Sequence, residues 1–455
     1  MERIDSSGQP PSSGFVPGWG NAYWFSIFNA LSYQMVLGSP IVLYAKSLGA
    51  SATVLGIIAG MMPLLVIFQI PAARHIARVG YKRFVFAGWG TRVMFIFLVA
   101  LVPLTEPFLN AASTTALLVF LLFCFNLSRG ISSAAWLPWI TALVPGELRG
   151  KYLARDSACV NGGSFLTLMA AGLALGPAPQ GWRFSVIFAY SALMGMVSLR
   201  FLKRIPDAPH PAAENNNPTP VPWFEIAAYP PFRKLLFMNV AWALAYGGLG
   251  AFTVAYLKAT AGMNENRILF VTAISYLGGM GGLVLFGTRL DRHGSKPILT
   301  VTMFGWALVM AVWAAMAGGL VHPGWFQVLG LELCMGLGWA VFTMANTRLA
   351  MVISPPMGRD HFFALFSVVS NLTLGIAPIC WGLLIDAIGP HHWSLGNFTL
   401  MRFSAFFLLV TLIYLATGVI CRRLDEPRAA NIQALLNDLL AKTPLRSWMR
   451  FWPRG

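Results

Sequence analysis

Residues 287–297 read GTRLDRHGSKP, five ionisable side chains set in an otherwise oily chain, and residues 73–83 read ARHIARVGYKR. The two stretches are 214 positions apart, and Arg78, Gly80 and Lys82 fall into register with Arg292, Gly294 and Lys296. Ala77 stands where the second copy has Asp291, and Ala73 where it has Gly287. A charged cluster that occurs twice at a long spacing points to a duplicated chain.

The surroundings set the class. The chain has 455 residues, of which 57% are hydrophobic and 11% charged, against roughly 25% charged residues in soluble proteins. Apolar runs of bilayer-spanning length recur throughout. Twelve spans are expected, at residues 23–45, 53–73, 84–104, 114–143, 152–175, 184–203, 235–257, 268–288, 297–318, 326–352, 362–387 and 399–421. Backbone groups find no water in lipid, so spans this long and continuously apolar read as helices rather than barrel strands.

Charge gives the topology. Most of the 32 basic residues fall on one side when the N-terminus is placed in the cytoplasm, the asymmetry expected of cytoplasmic loops. Both termini then share the cytoplasm, and a cell (inner or plasma) membrane is expected. The basic pI does not indicate nucleic acid, because Lys and Arg sit in short loops rather than on one exposed face.

Five parts follow: a disordered N-terminus (1–20), a six-helix bundle (21–204), a Pro- and Asn-rich linker with an interfacial segment (205–233), a second six-helix bundle (234–422) and an amphipathic tail (423–455). In the tail, Ile432, Leu435, Leu436, Leu439 and Leu440 share one helical face, which suits an anionic leaflet or serves only as a solubilising tail. The two bundles are related. Tyr44 and Lys46 match Tyr256 and Lys258 at an offset of 212, and Arg149, Tyr152, Ala154 and Asn161 match Arg359, Phe362, Ala364 and Asn371 at 210. Repeated halves are typical of secondary transporters with the site between them.

With these features the chain resembles the major facilitator superfamily. The pattern G-x-x-x-D-R-x-G-x-[RK] is kept in Gly287, Asp291, Arg292, Gly294 and Lys296, and in part by Arg78, Gly80, Lys82 and Arg83. The resemblance implies an all-α polytopic protein whose two pseudo-symmetric bundles alternate access to a central cavity, and a monomer is expected. It does not imply a cargo. The drug-antiporter motif of the fourth helix is matched only in part by RGISSAA (129–135), where Ser132 and Ser133 depart from it.

In the superfamily, helices one, four, seven and ten line the cavity, and the polar stripes of this chain fall on those four. They comprise Asn29, Tyr33 and Gln34; Asn126 and Arg129; Asn239, Trp242 and Tyr246; and Trp339 and Asn346. A charge in mid-span costs roughly 2.5–3.5 kcal/mol on insertion scales, so Arg129 and Glu332 are expected to face water, a partner or cargo. Arg129 would hold an anionic group and Glu332 would couple a proton. The alternative is structural, with Arg129 capping carbonyls and Glu332 bonded within its own bundle. Arg92, also in a span, is expected to support the bundle.

The resemblance further implies a cytoplasmic latch. Asp291 would meet the start of span five, where Arg149 and Arg155 lie, and Ala77 leaves the first copy without that acid. The expected function is secondary transport of a small polar or anionic solute, with proton-linked symport ahead of drug or metabolite efflux by antiport and of a non-transporting sensor. No enzyme motif, cofactor or metal is called for: the spans hold no H-E-x-x-H, no G-x-S-x-G and no mid-span histidine.

Overall fold

The computed structural model describes residues 18–144, 149–208, 226, 228–353, 359–426 and 429–441. Twelve apolar helices of spanning length run Gly20–Ser47, Ala52–Ile76, Tyr81–Thr105, Ala111–Leu143, Tyr152–Leu175, Gly181–Arg204, Pro230–Ala259, Glu265–Gly287, Ser295–Ala317, Trp325–Ile353, Phe362–Ile388 and Arg402–Arg422. All twelve expected spans are present, with ends moved by a few residues. The all-helical expectation misses one small hairpin between the last two spans, where β1 (Trp393–Leu395) pairs antiparallel with β2 (Phe398–Leu400).

An even number of crossings brings the start of the first span and the end of the last to one face of the bundle, called here the terminal face; the opposite one is the far face. The linker residues 209–225 and the interfacial WFEIAAY segment lie outside the described residues except Ile226, Ala228 and Tyr229, as do the tail beyond Ala441 and residues 1–17. Within the expected disordered stretch, Trp19 is buried and packs edge-on against Tyr152.

Besides a tighter 3-10 turn at Val66–Phe68 in the second span, two breaks at matching places in the halves were not anticipated. The first span divides at Gly38, with Pro40 near the start of its second piece. The seventh divides at Gly247 and Gly248, where Gly248 has φ +82° and an added Cβ would meet Phe252 at 2.6 Å and Pro378 at 2.9 Å. Gly38 and Gly248 are related by the repeat offset of 210. Interrupted helices at matching places in two halves free backbone groups near the middle of a transporter.

The halves meet along two seams, the second span with the eleventh and the fifth with the eighth. Small residues set the closeness. A Cβ on Gly56 would lie 2.2 Å from the Pro378 carbonyl, and one on Gly60 2.3 Å from that of Gly375. Beyond the breaks, the second piece of the first span also meets that of the seventh. At the far face the Asp386 carboxylate accepts from the backbone N–H of Ala52 (2.9 Å) and Thr53 (2.7 Å) and from the Thr53 hydroxyl (2.7 Å). One half thus caps a helix start of the other.

Candidate functional site

On the first half, Arg92 is 1% exposed and held from three sides. It donates to the Asn29 Oδ1 and lies over the rings of Trp89 (4.8 Å) and Phe125 (5.8 Å). Asn29 also accepts from the Trp89 indole at 3.3 Å, so its carbonyl is engaged inside the bundle. Asn126, buried, donates back to the Leu122 carbonyl at 2.9 Å and leaves Oδ1 without a partner among the described residues.

Arg129 sits on the fourth span and reaches the field of both Tyr33 and Arg92. It forms no ion pair among the described residues. Tyr33 faces Ser164 of the fifth span and Arg129 together. Gln34 is buried and lies within hydrogen-bonding reach of Tyr276 on the eighth span, which belongs to the other half.

The second half is built differently. Asn239 and Asn346 exchange amide hydrogen bonds of 3.1 and 2.7 Å and are both buried. Beside them four rings lie nearly parallel. Phe342 and Trp242 have centroids 4.0 Å apart, Trp242 and Tyr246 5.2 Å, and Tyr246 and Trp339 4.7 Å. Trp339 ends the stack and keeps 41% of its surface exposed, while Trp242 is buried with its indole N–H unpartnered among the described residues.

Glu332 is 5% exposed, two turns before Trp339 on the same helix, and has no ion-pair partner among the described residues. The groups in its field are Tyr246 and Tyr276. Tyr276 also lies in the field of Tyr33. A row of side chains therefore crosses between the halves: Arg129, Tyr33, Tyr276, Glu332. Sequence reading singled out its two ends and Tyr33 but missed Tyr276, which sits in YLGGMGG among residues read as packing glycines. It also missed Asp156 of the fifth span, whose carboxylate accepts from Ser26 and Tyr152. The signal available for the level of the row was the pair of broken spans, since Tyr246 directly precedes one break and Gln34 lies one turn before the other.

The charged repeats take a second form. Gly80 and Gly294 both have φ +84° and both cap the span that follows, a conformation that strains any side-chain-bearing residue. Arg78 is exposed and Lys82 half-buried. Around the second copy, the Glu426 carboxylate accepts from the backbone N–H of Ser295 (2.9 Å) and Lys296 (2.7 Å) and pairs with Arg348 at 2.6 Å. The tail helix Ile432–Ala441 brings Asp438 to Arg289 (3.0 Å), Arg292 (3.5 Å) and His293 (3.7 Å).

So Arg292 meets the tail, and Leu435 of the same helix is buried in protein rather than presented to lipid. Arg155 is exposed on the fifth span, and Gly287 lies half-buried near the end of the eighth. The side chains of Ala77, Asp291 and Arg149 fall outside those described. Among the described residues no cluster has the composition of a metal site.

Twelve spans in two related halves, with polar groups meeting between them, define a polytopic membrane transporter rather than an enzyme. The chain belongs to the Major Facilitator Superfamily, whose sequence pattern it matches over residues 23–305 and 243–455. Among solved structures it is similar to the nucleoside transporter NupG (TM-score 0.66, 11% identity, 91% of this chain and 100% of that one). It is also similar to a D-xylose-proton symporter (0.69, 13%, 90% and 97%). A third likeness is to the inward-open xylose transporter XylE from E. coli (0.63, 15%, 92% and 98%). At these identities the likeness is one of fold. No curated protein matches in sequence.

Proposed function

We propose that the chain is a proton-coupled secondary transporter of a small polar or anionic solute, working by alternating access of its two halves. The observation that carries this reading is the row between the halves, with a guanidinium at one end and a carboxylate at the other, neither in an ion pair among the described residues. An unpaired charge at membrane depth is costly, and a solute or a proton arriving there removes the cost. Amide and hydroxyl groups beside aromatic walls are the usual lining of a small-molecule site. The nucleoside and xylose transporters of the same fold carry small polar cargoes, which agrees with this lining.

In this reading Arg129 takes the anionic group and Glu332 takes up and releases the coupling proton. The distribution of basic residues supports a cell membrane with both termini on the cytoplasmic side, and in this reading the unit is a monomer of two bundles joined by the 205–233 linker. Uptake by purified protein in liposomes, driven by an imposed pH gradient, tests this. Glu332→Gln is expected to abolish the pH dependence of flux. Wild-type rates and wild-type pH dependence in that variant would sink the coupling role.

A further inference from the structure

Within the twelve spanning ranges the acids are Asp156, Glu265, Glu332 and Asp386. Glu265 is tied to Lys258 at 2.6 Å, and Asp386 to the backbone N–H of Ala52 and Thr53. A cation or a backbone N–H is a fixed donor, so a proton arriving on either acid would strand its partner. Glu332 and Asp156 have neither kind of partner among the described residues, and one lies in each half. Glu332 already has a role in the proposed function. Asp156 has none.

The two acids sit toward opposite faces. Glu332 comes seven residues after Trp325, which begins the tenth span at the far face. Asp156 comes four residues after Tyr152, which begins the fifth span at the terminal face, a depth of about 6 Å at helical rise. It is half-buried, and Arg155 beside it in the chain is exposed.

Its partners are hydroxyls. The carboxylate accepts from buried Ser26 of the first span at 2.5 Å and from the Tyr152 phenol at 3.4 Å. Hydroxyls rotate and can accept as well as donate. With Asp156 ionised, both donate to it. With a proton on one carboxyl oxygen, that O–H can donate to the Ser26 Oγ, while the Ser26 hydroxyl turns to a carbonyl of its own helix. The site therefore keeps its hydrogen bonds in both charge states, which the fixed donors of Glu265 and Asp386 do not allow. The titratable groups around it are phenols and a thiol. Tyr152 and Cys159 lie on its own helix and Tyr33 on the first span, with Tyr23 beyond Tyr152 at a ring separation of 5.7 Å. No charged group of the sixth or eighth span acts on it among the described residues.

We propose that Asp156 is a second proton-binding site of this chain, filled and emptied from the terminal face, with Ser26 and Tyr152 holding its carboxyl group in either charge state. It stores a proton within the first half, and coupling to cargo still needs Glu332. The inference goes beyond the transporter reading, and the site can be read without any cargo.

Infrared difference spectroscopy of the full chain in detergent tests this through the C=O stretch of protonated carboxyl groups. The window runs from roughly pH 8 to pH 6, where an exposed aspartate of about 3.9 stays ionised. The wild type is expected to gain a band there that Asp156→Asn loses and Glu332→Gln retains. Ser26→Ala keeps the acid and removes its nearer hydroxyl, so the band should survive at a shifted frequency, a readout that does not depend on Asp156→Asn folding. The proposal is overturned if Asp156→Asn matches the wild type, which would make Asp156 a permanently ionised tie between the first and fifth spans. A band lost in Glu332→Gln, or one that Ser26→Ala leaves at its wild-type frequency, overturns it as well. Because no cargo is present, the result stands apart from flux: a protein that transports nothing can still show the Asp156 band, and a transporter can lack it.

Discussion

Arg92 shows how a charge deep in a span can be structural. Its guanidinium is met by an amide oxygen and two ring faces, with no carboxylate among the contacts described. Removing the amide by Asn29→Ala would leave a buried cation short of an acceptor, a loss of about 1–3 kcal/mol. A clearly lower thermal midpoint in detergent is expected, whereas Thr343→Ala, on an exposed hydroxyl that only bonds its own helix at Trp339, should change it little. Equal midpoints would assign Arg92 another source of support. The sequence could mark Arg92 as structural because its helix is a supporting one in the superfamily. It could not reveal that Asn29, on a cavity-lining helix, turns its oxygen inward to Arg92, since that depends on helix rotation. Tyr276 was hidden for a related reason: a phenol carries no insertion cost large enough to stand out among apolar neighbours, while Arg129 and Glu332 do.

At the level of elements, close approach decides which helices can pair. A Cβ at Gly336 would lie 1.7 Å from the Ser275 carbonyl oxygen, whereas one at Gly330, on the same span, would meet nothing within 4 Å. Gly336→Ala should therefore push the eighth and tenth spans apart, costing roughly 1–3 kcal/mol, while Gly330→Ala should be neutral or slightly stabilising through helix propensity. Thermal unfolding of both variants checks this, and equal midpoints would contradict the packing argument. The ninth span depends on a different device. Glu426 neutralises its start and holds Arg348, and Glu426→Ala is expected to cost roughly 2–3 kcal/mol, below the range for a fully buried pair because Arg348 keeps solvent contact. The twelve spans were legible because length and hydropathy suffice for them. The breaks at Gly38 and Gly248 were visible as LGSP and YGGLG but do not interrupt hydropathy, so a window long enough to find spans passes over them. The tail was legible as a helix with one apolar face, but its partner was not. A buried Leu435 and the pairing of Asp438 with Arg289 and Arg292 come from tertiary contact.

For the whole molecule, the sequence drew attention to the terminal face, where the charged repeats lie, and the described cap between the halves lies on the other one. Asp386 is in no recognised motif and ends a span with an acid that reads as an ordinary interfacial residue, so only the packing shows that it caps Ala52 and Thr53. Helix starts carry partial positive charge and unpaired N–H groups, and this cap can exist only while the far ends of the second and eleventh spans are together. Its loss should favour states in which they separate. A capping carboxylate contributes about 0.5–2 kcal/mol, enough to move a two-state balance by roughly two- to thirtyfold. Asn110 caps the start of the fourth span, at the same face, from within its own half, accepting from the Ser113 N–H at 2.8 Å, and so should stabilise that helix without choosing between states. Spin labels on the far ends of the second and eleventh spans distinguish the cases: Asp386→Ala is expected to lengthen the measured distances, and Asn110→Ala to leave the distribution where it was. If Asp386→Ala leaves it unchanged as well, the far face is held by close packing at Gly56 and Gly60, and the cap follows closure rather than enforcing it.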